Sequence, residues 1–549
     1  MMRRIREWAL LLCVSLGFPL ASIAQAWQSS LVYPNADGHL AYVSDSLGNH
    51  VPNWASAGYH NGNRPLPFVP NVDTISPIPG DNRLHIQSAI NAMATLPLDA
   101  NGHRGALLFT AGTYEFSGTL ELDIDGVVLR GVGDGADPNS NTILYSTDTA
   151  QIDAMVVGNG AIWDRWRDSI PGTRRNIMNE VLAMGSSWLE LSDTAGYYLG
   201  APVVVVHPAT NAWLASVNYG DTGMDPPWTT PFMELLYRRK VIDISGNHIR
   251  LDAPIPHPLR RNLSTSYVYI HDSTQVRREI GIENLRMDCV YDSLTDEAHA
   301  WNMLCLYEVE NSWVRDVTVL HFSRGGIVIG TGTNVTVQDC ESLDPISIVT
   351  GSRRYNFDAE NATNNILFQR CYATEGRHSY VSNGANYSSG IVFTASTAVG
   401  DYTSAEGHRK WSHALLFDSL VFLQPNTTSS NPIFDRVLGL YNRGDYGTAH
   451  GWASAHSVLW NCTGEDAYFV VEKPPSAQNY AFGCRITNGS VLGSGPFGQS
   501  PGWIEGEGQT PAIGSLYRAQ RAQLDQYGSP PDPAADLKAR DTTAGIFLE

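Results

Sequence analysis

The sequence predicts an all-β solenoid, and three observations carry that expectation. Short β-rich runs recur and end alike: Asn284-Leu-Arg-Met-Asp-Cys289, Asn334-Val-Thr-Val-Gln-Asp-Cys340 and Asn365-Ile-Leu-Phe-Gln-Arg-Cys371, then Ala414-Leu-Leu-Phe-Asp418 and Ser457-Val-Leu-Trp-Asn-Cys462. Ser312–Val317 and Ile391–Thr394 fall between them, so equivalent points are about 18–31 residues apart. Each unit is closed by Asn, Gly or Asp, the residues that turn a chain sharply. Third, few stretches carry a helical period. Units of this length that make strands but few helices stack as a solenoid. A β-sandwich would not need so many units in series, and a propeller blade needs a longer period, roughly 40 residues.

The elements follow in order. Arg3, Arg4 and Arg6 precede an apolar stretch from Trp8 to Leu20, and Ala24-Gln25-Ala26 follows. This is the layout of a secretory signal peptide over residues 1–26. A membrane anchor needs about 20 apolar residues. The mature chain is therefore expected to be secreted or periplasmic. Residues 81–96 place Leu84, Ile86, Ala89, Ile90 and Met93 at near-helical spacing, a cap for the open end of a solenoid. Runs after Gly105, Gly112, Gly118 and Gly126 read as the first coils, so residues 27–160 form the cap and first coils. Residues 161–238 break the pattern with Trp163, Trp166, Trp188, Trp213, Trp228 and Pro226-Pro227. They are expected to be an insertion packed on the solenoid, its tryptophans either walling a ligand or packing internally. The main coils are placed at 239–500, and a C-terminal cap with a loose end at 501–549.

Composition narrows the function. The formal net charge of -19 leaves no pervasive basic surface, which argues against nucleic acid. Cys13 leaves with the signal. Of the other six cysteines none forms a C-x-x-C pair, so neither a zinc nor a redox motif is indicated. No Rossmann fingerprint or phosphate-binding loop appears, so no nucleotide cofactor is expected.

The opening segment Gly80-Asp81 through Ala89-Ile90, with Gly105-Ala106, Gly112-Thr113-Tyr114 and Val127–Gly131, resembles the start of the pectate-lyase-like superfamily of right-handed parallel β-helix proteins. The blocks Gly351–Tyr355, Gly376-Arg377-His378, Gly407–Trp411 and Gly447–Trp452 resemble a bacterial subgroup of it. The resemblance covers roughly residues 70–160 and 240–500. It implies a right-handed parallel β-helix and cleavage of a polysaccharide, by β-elimination at a uronic acid or by hydrolysis; fold alone does not choose. No residue set matches the calcium-binding carboxylates and catalytic arginine of pectate lyases. Calcium is left open as a cofactor, without assigned ligands.

The basic groups point to a groove for an acidic glycan. The chain has lysine only at 240, 410, 473 and 538, yet Arg353, Arg354, Arg377, His378, His408, Arg409, Lys410, His413, Arg443, His450 and His456 fall between 353 and 456. In a parallel solenoid equivalent positions stack about 4.8 Å apart, so these residues are brought together across coils. β-Elimination needs a group that neutralises the uronate, a base for the C5 proton and an acid for the leaving oxygen. Arg354 or Arg377 suits the first role, because a guanidinium pairs with a carboxylate bidentately. His408 and His450 suit the second. Tyr355 or the other histidine suits the third. Arg353, His378, Arg409 and Arg443 are expected to bind substrate, and Trp411 and Trp452 to stack on sugar faces. His299, in Asp296-Glu297-Ala298-His299, binds a metal with its neighbours, joins the groove from the preceding coil or belongs to a polar turn. Hydrolysis would instead need two carboxylates, for which Asp358 and Asp445 lie nearest the basic blocks, and a carbohydrate-binding protein without catalysis is the third reading of the same groove.

Overall fold

The computed structural model describes residues 26–160, 164–427, 431, 434–447 and 450–527. The expected signal peptide and Trp163 fall outside these residues, apart from Ala26. The fold is a right-handed parallel β-helix. Ten strands stack in one parallel sheet in the order Leu120–Leu122, Met155–Gly158, Asn302–Tyr307, Gly325–Gly330, Tyr355–Glu360, His378–Ser382, Ala405–Gly407, Arg436–Leu440, Tyr468–Val471 and Ser490–Leu492. Parallel ladders such as Ile282↔Val314↔Val337↔Phe368↔Phe393↔Phe417 complete the coil.

Side-chain alternation explains the packing. Phe357, Ala359, Tyr380, Ala405 and Leu438 of the ten-stranded sheet join the core, and the residues between them face away. Like stacks on like inside the coil: the rings of Phe368, Phe393 and Phe417 lie 4.9 and 5.3 Å apart in sequence. The recurrent asparagines are turn residues. Asn284, Asn334 and Asn365 hold φ of 54°, 56° and 57°, the left-handed region that asparagine tolerates. All six described cysteines are buried free thiols of the ladder.

The helix Arg83–Met93 closes the N-terminal end. Ile86, Ile90 and Met93 enter the core, whereas Leu84 is 73% exposed, so the buried stripe is narrower than the sequence pattern implies. The segment after Ala26 runs back along the coil. The Trp54 indole N–H donates to the Ala414 carbonyl at 2.7 Å, and the Trp54 amide donates to Gln520 of the terminal helix Leu516–Tyr527 at 2.8 Å. The two ends of the described chain are thereby held on one face.

The insertion is larger than expected. Its antiparallel sheet runs in the order Arg175–Asn176, Tyr267–Ile270, Pro202–His207, Leu235–Ser245, His248–Leu251, Trp188–Glu190. The solenoid therefore does not resume at 239; it resumes with the parallel pair Arg277–Arg278 and Val309–Glu310. The strand-like runs of 239–270 misled the boundary because strand propensity does not report pairing direction. Pro202–His207 is buried on both faces. Val203 and Val205 serve the insertion's own core, while Val204 and Val206 pack with Trp166 and Tyr269 against Ala362 of the β-helix.

Candidate active site

A polar cleft of about 560 Å³ opens on the ten-stranded sheet, lined by Asp153, Trp301, Asn302, Tyr307, Arg324, Glu360, Asn361 and Arg409. Arg324 is its anchor. It forms a close ion pair with Glu360, reaches Asp358 at 3.7 Å and lies 5.9 Å from the Tyr355 ring.

Beside the cleft, neighbouring coils bring the expected residues together. The Tyr355 hydroxyl lies 3.4 Å from His408 Nε2 and 3.4 Å from Arg377 Nη1. His378 and His408 rings are 4.6 Å apart, and His408 and His450 rings 5.4 Å apart. Gly447 leaves room for the last of these: a Cβ there would come within 2.3 Å of the His450 ring.

Glu406 organises the group. It is fully buried, and one oxygen lies 2.7 Å from His408 Nδ1, 3.6 Å from His378 Nδ1 and 3.3 Å from Arg443 Nε. The other accepts from Ser404 and Tyr441. Tyr441 fits because its neighbour Gly439 has no side chain; a Cβ there would fall 2.5 Å from the ring. Burial alone would raise the Glu406 carboxyl, but Arg443, His378 and His408 outweigh it and hold the group well below the carboxylate range. Burial and the Arg443 charge push His408 well below the usual imidazole value, so it is neutral. The ionised Glu406 assigns the proton to His408 Nδ1. Arg443 Nη1 is also 2.7 Å from that nitrogen, but it donates to the His408 carbonyl at 2.7 Å instead. His408 Nε2 keeps its lone pair toward Tyr355.

Asp358 has the opposite surroundings. It is fully buried, neither carboxyl oxygen meets good hydrogen-bond geometry, and burial pushes it up to about 6 even against Arg324, the nearby Asn383 amide and Arg409.

Several expected site residues have other employment. Arg354 is buried and donates to the Ser347 carbonyl at 2.8 Å, so it supports a turn and does not receive a carboxylate. Arg353 is paired with Glu297 at 2.8 Å above Trp301. Trp411 and Trp452 are buried in the seam with the insertion, Trp411 edge-on to Trp213 and Trp228, and neither is a sugar platform. His299 is fully buried between Cys289, Ser323 and the Ile346 carbonyl. His378 and Arg443 hold Glu406 from buried positions and are not substrate ligands. His450 is buried, driven down to about 3 by burial and Arg443, and engages no carboxylate that would make it a base. Asp445 lies against Gly223 of the insertion and not on the cleft.

His378, Glu406 and His408 form the metal-capable group of three found among the described residues, with ligand atoms within 4.8 Å. Two imidazoles and one carboxylate do not suit calcium, which takes six to eight oxygens. The Arg443 cation already holds the same carboxylate, so the residues fit proton chemistry better than a divalent ion.

No protein-family model and no curated protein matches the sequence. Solved structures match loosely. The tailspike of Pseudomonas phage phi297 is 10% identical over 74% of this chain, with a TM-score of 0.43. This chain spans 66% of that tailspike, just under two thirds. The tailspike of Pseudomonas phage LKA1 is 12% identical over 78% of this chain and 74% of its own, with a TM-score of 0.41. An alginate lyase of a Paenibacillus species is 10% identical over 79% of this chain and 97% of its own, with a TM-score of 0.33.

Proposed function

We propose that the protein is an exported enzyme that cleaves an acidic polysaccharide by β-elimination at a uronic acid. One observation carries this reading: Tyr355 bridges an oriented neutral histidine and an arginine that has no carboxylate partner. Arg409 and Lys410 follow His408 directly in the chain, and among the described residues no carboxylate forms an ion pair with either of them or with Arg377. In a chain of net charge -19, unpaired cations on this part of the β-helix, of which Arg409 lines the cleft, favour an anionic ligand.

In this mechanism Arg377 takes the uronate carboxylate and makes the C5 proton more acidic. His408 Nε2 accepts that proton through the Tyr355 hydroxyl. Glu406 fixes the imidazole tautomer and stabilises the imidazolium that forms, as an orienting carboxylate does for a general base. The carboxylates of the cleft support hydrolysis as a second reading, because Asp358 and Glu360 alternate on one strand and both face Arg324.

The test is replacement of His408 by Ala and Tyr355 by Phe, with the fold checked by circular dichroism. Each is expected to lower kcat by roughly 10²–10⁴-fold on an acidic glycan that the parent cleaves. Activity retained in both would remove the elimination mechanism.

A further inference from the structure

A glycosidic oxygen leaves poorly as an alkoxide, whether its bond breaks by elimination or by hydrolysis. An acid that remains protonated near working pH removes that barrier. We infer that Asp358 is the acid that protonates the leaving oxygen in this cleft. The assignment rests on the glycan-cleaving reading above and adds to it the source of the second proton.

Three observations place it. Asp358 alternates with Phe357 and Ala359, which enter the core, so its carboxyl faces the opposite side of the sheet. On that side it meets Arg324 at 3.7 Å and feels the charge of Arg409, and both arginines line the cleft. The carboxyl therefore lies on the cleft side of the sheet, behind the arginines that line the cleft. Finally, its oxygens make no well-formed hydrogen bond although the side chain is fully buried, the Asn383 amide being its neutral neighbour. A carboxylate in that position lacks the hydrogen bonds that ionisation demands, so the neutral acid is the favoured form.

Its neighbours differ. Glu360 has Arg324 as a close partner, and Glu406 has His408, Arg443, Ser404 and Tyr441. Asp358 has only the neutral Asn383 amide and the Arg324 contact at 3.7 Å, with the charge of Arg409 beyond them. A sugar oxygen entering the cleft would be an acceptor for its proton.

The step balances as follows. His408 Nε2 receives the C5 proton by way of Tyr355. The C5–H electrons form the C4–C5 double bond, and the bond from C4 to its glycosidic oxygen breaks. That oxygen takes the Asp358 proton and departs as a free hydroxyl. The carboxylate left behind is held by Arg324 until water reprotonates it. In hydrolysis the same proton goes to the same oxygen, with the bond to C1 breaking instead.

The experiment compares two substrates in the full-length protein. One is a polysaccharide that the parent cleaves. The other is a uronate that carries an acidic nitrophenol as an ether at C4, the bond that elimination breaks, so its leaving group departs without protonation. Asp358→Asn is expected to lose roughly 10²–10⁴-fold on the polysaccharide and far less on the nitrophenyl ether. His408→Ala is expected to lose activity on both if elimination operates. Infrared spectroscopy supplies a readout without substrate. The difference spectrum between the parent and Asp358→Asn should show a carboxylic acid carbonyl band at pH 5 that bleaches as pH rises through about 6, the bands of the buried Asp401 and Asp418 cancelling because both proteins keep them.

Equal loss on both substrates, full activity on the polysaccharide, or no such band would overturn the assignment of Asp358 alone. A parent that cleaves no glycan would overturn the functional reading and this proposal together.

Discussion

Asp358 and Glu406 occupy one register row of the β-helix, separated by Val381, and their proton affinities are driven in opposite directions. Both are wholly buried, so burial raises both. The difference is the partners. Glu406 has an arginine, two imidazoles and two hydroxyls within reach, whereas Asp358 has Arg324 at 3.7 Å, the more remote charge of Arg409 and the neutral Asn383 amide. Titratable groups pushed apart on one face are the usual basis for assigning an acid and a base.

Stability should separate the two carboxyls. Asp358 has a folded value of about 6 against an ordinary 3.8, so folding binds a proton there. Its penalty is absent below about 4, grows as pH rises to about 6 and stays constant above, at about 3 kcal/mol. Asp358→Asn removes it and is expected to raise the urea midpoint at pH 8 but not at pH 4. A variant no more stable than the parent at pH 8 would contradict this.

Glu406→Gln should do the reverse. It leaves Arg443 buried without its carboxylate, at a cost of about 3–5 kcal/mol. Activity is expected to fall with it, because His408 loses the group that sets its tautomer. Denaturant melts and kcat on the same preparation check both effects.

The seam between insertion and β-helix should open in acid. His257 packs against His413 and His456 with ring separations of 5.6 and 4.9 Å, and neither nitrogen of His456 has a partner. The charged groups facing them are Arg239, Arg260 and His50, with Tyr237 bonded to His413. No carboxylate is among them. Burial drives His257 down to about 4 and His413 to about 3. These histidines are neutral when docked and take protons when released, so docking is weakened as pH falls from about 6.5 toward 4, by about 1.4 kcal/mol per imidazole per unit. Tryptophan fluorescence reports it, since Trp213, Trp228, Trp411 and Trp452 all pack there. His456→Phe should move the transition to lower pH.

The unpaired cations should act on binding and hardly on folding. Arg377→Ala and Arg409→Ala break no ion pair among the described residues, so each is expected to change stability by less than about 0.5 kcal/mol. Each should raise KM for an acidic glycan and flatten its dependence on salt. Arg353→Ala, which breaks the Glu297 pair at the rim, is the comparison.

The aromatic ladder predicts a plain core effect. Phe393 stacks between Phe368 and Phe417 with no exposure. Phe393→Ala should cost about 3–5 kcal/mol, measured by denaturant unfolding.

The coil was legible because each rung repeats its own signals. Asn334 and Asn365 mark the same left-handed turn one rung apart, and the runs that follow them pair in register. The insertion was not, because Leu235–Ser245 and Tyr267–Ile270 carry the composition of strands without stating their direction. At the site, Tyr355, Arg377, His378, His408, Arg443 and His450 were brought together as the basic blocks suggested. Trp411 and Trp452 were misplaced, since a tryptophan beside a histidine reads alike on a groove and in a seam. Glu406 was within reach: it is two residues before His408, and alternation along the strand offered that spacing. Arg324 was not legible, because the crowd of basic residues begins at Arg353 and Arg324 stands alone on the preceding rung.

The most direct measurement is ultraviolet absorbance of an unsaturated uronate in purified protein incubated with pectate, alginate, glucuronan and glycosaminoglycans, with and without calcium. The account predicts a rise on at least one of them, independent of calcium and abolished in His408→Ala. New reducing ends without that absorbance would contradict β-elimination and transfer the chemistry to Asp358 and Glu360.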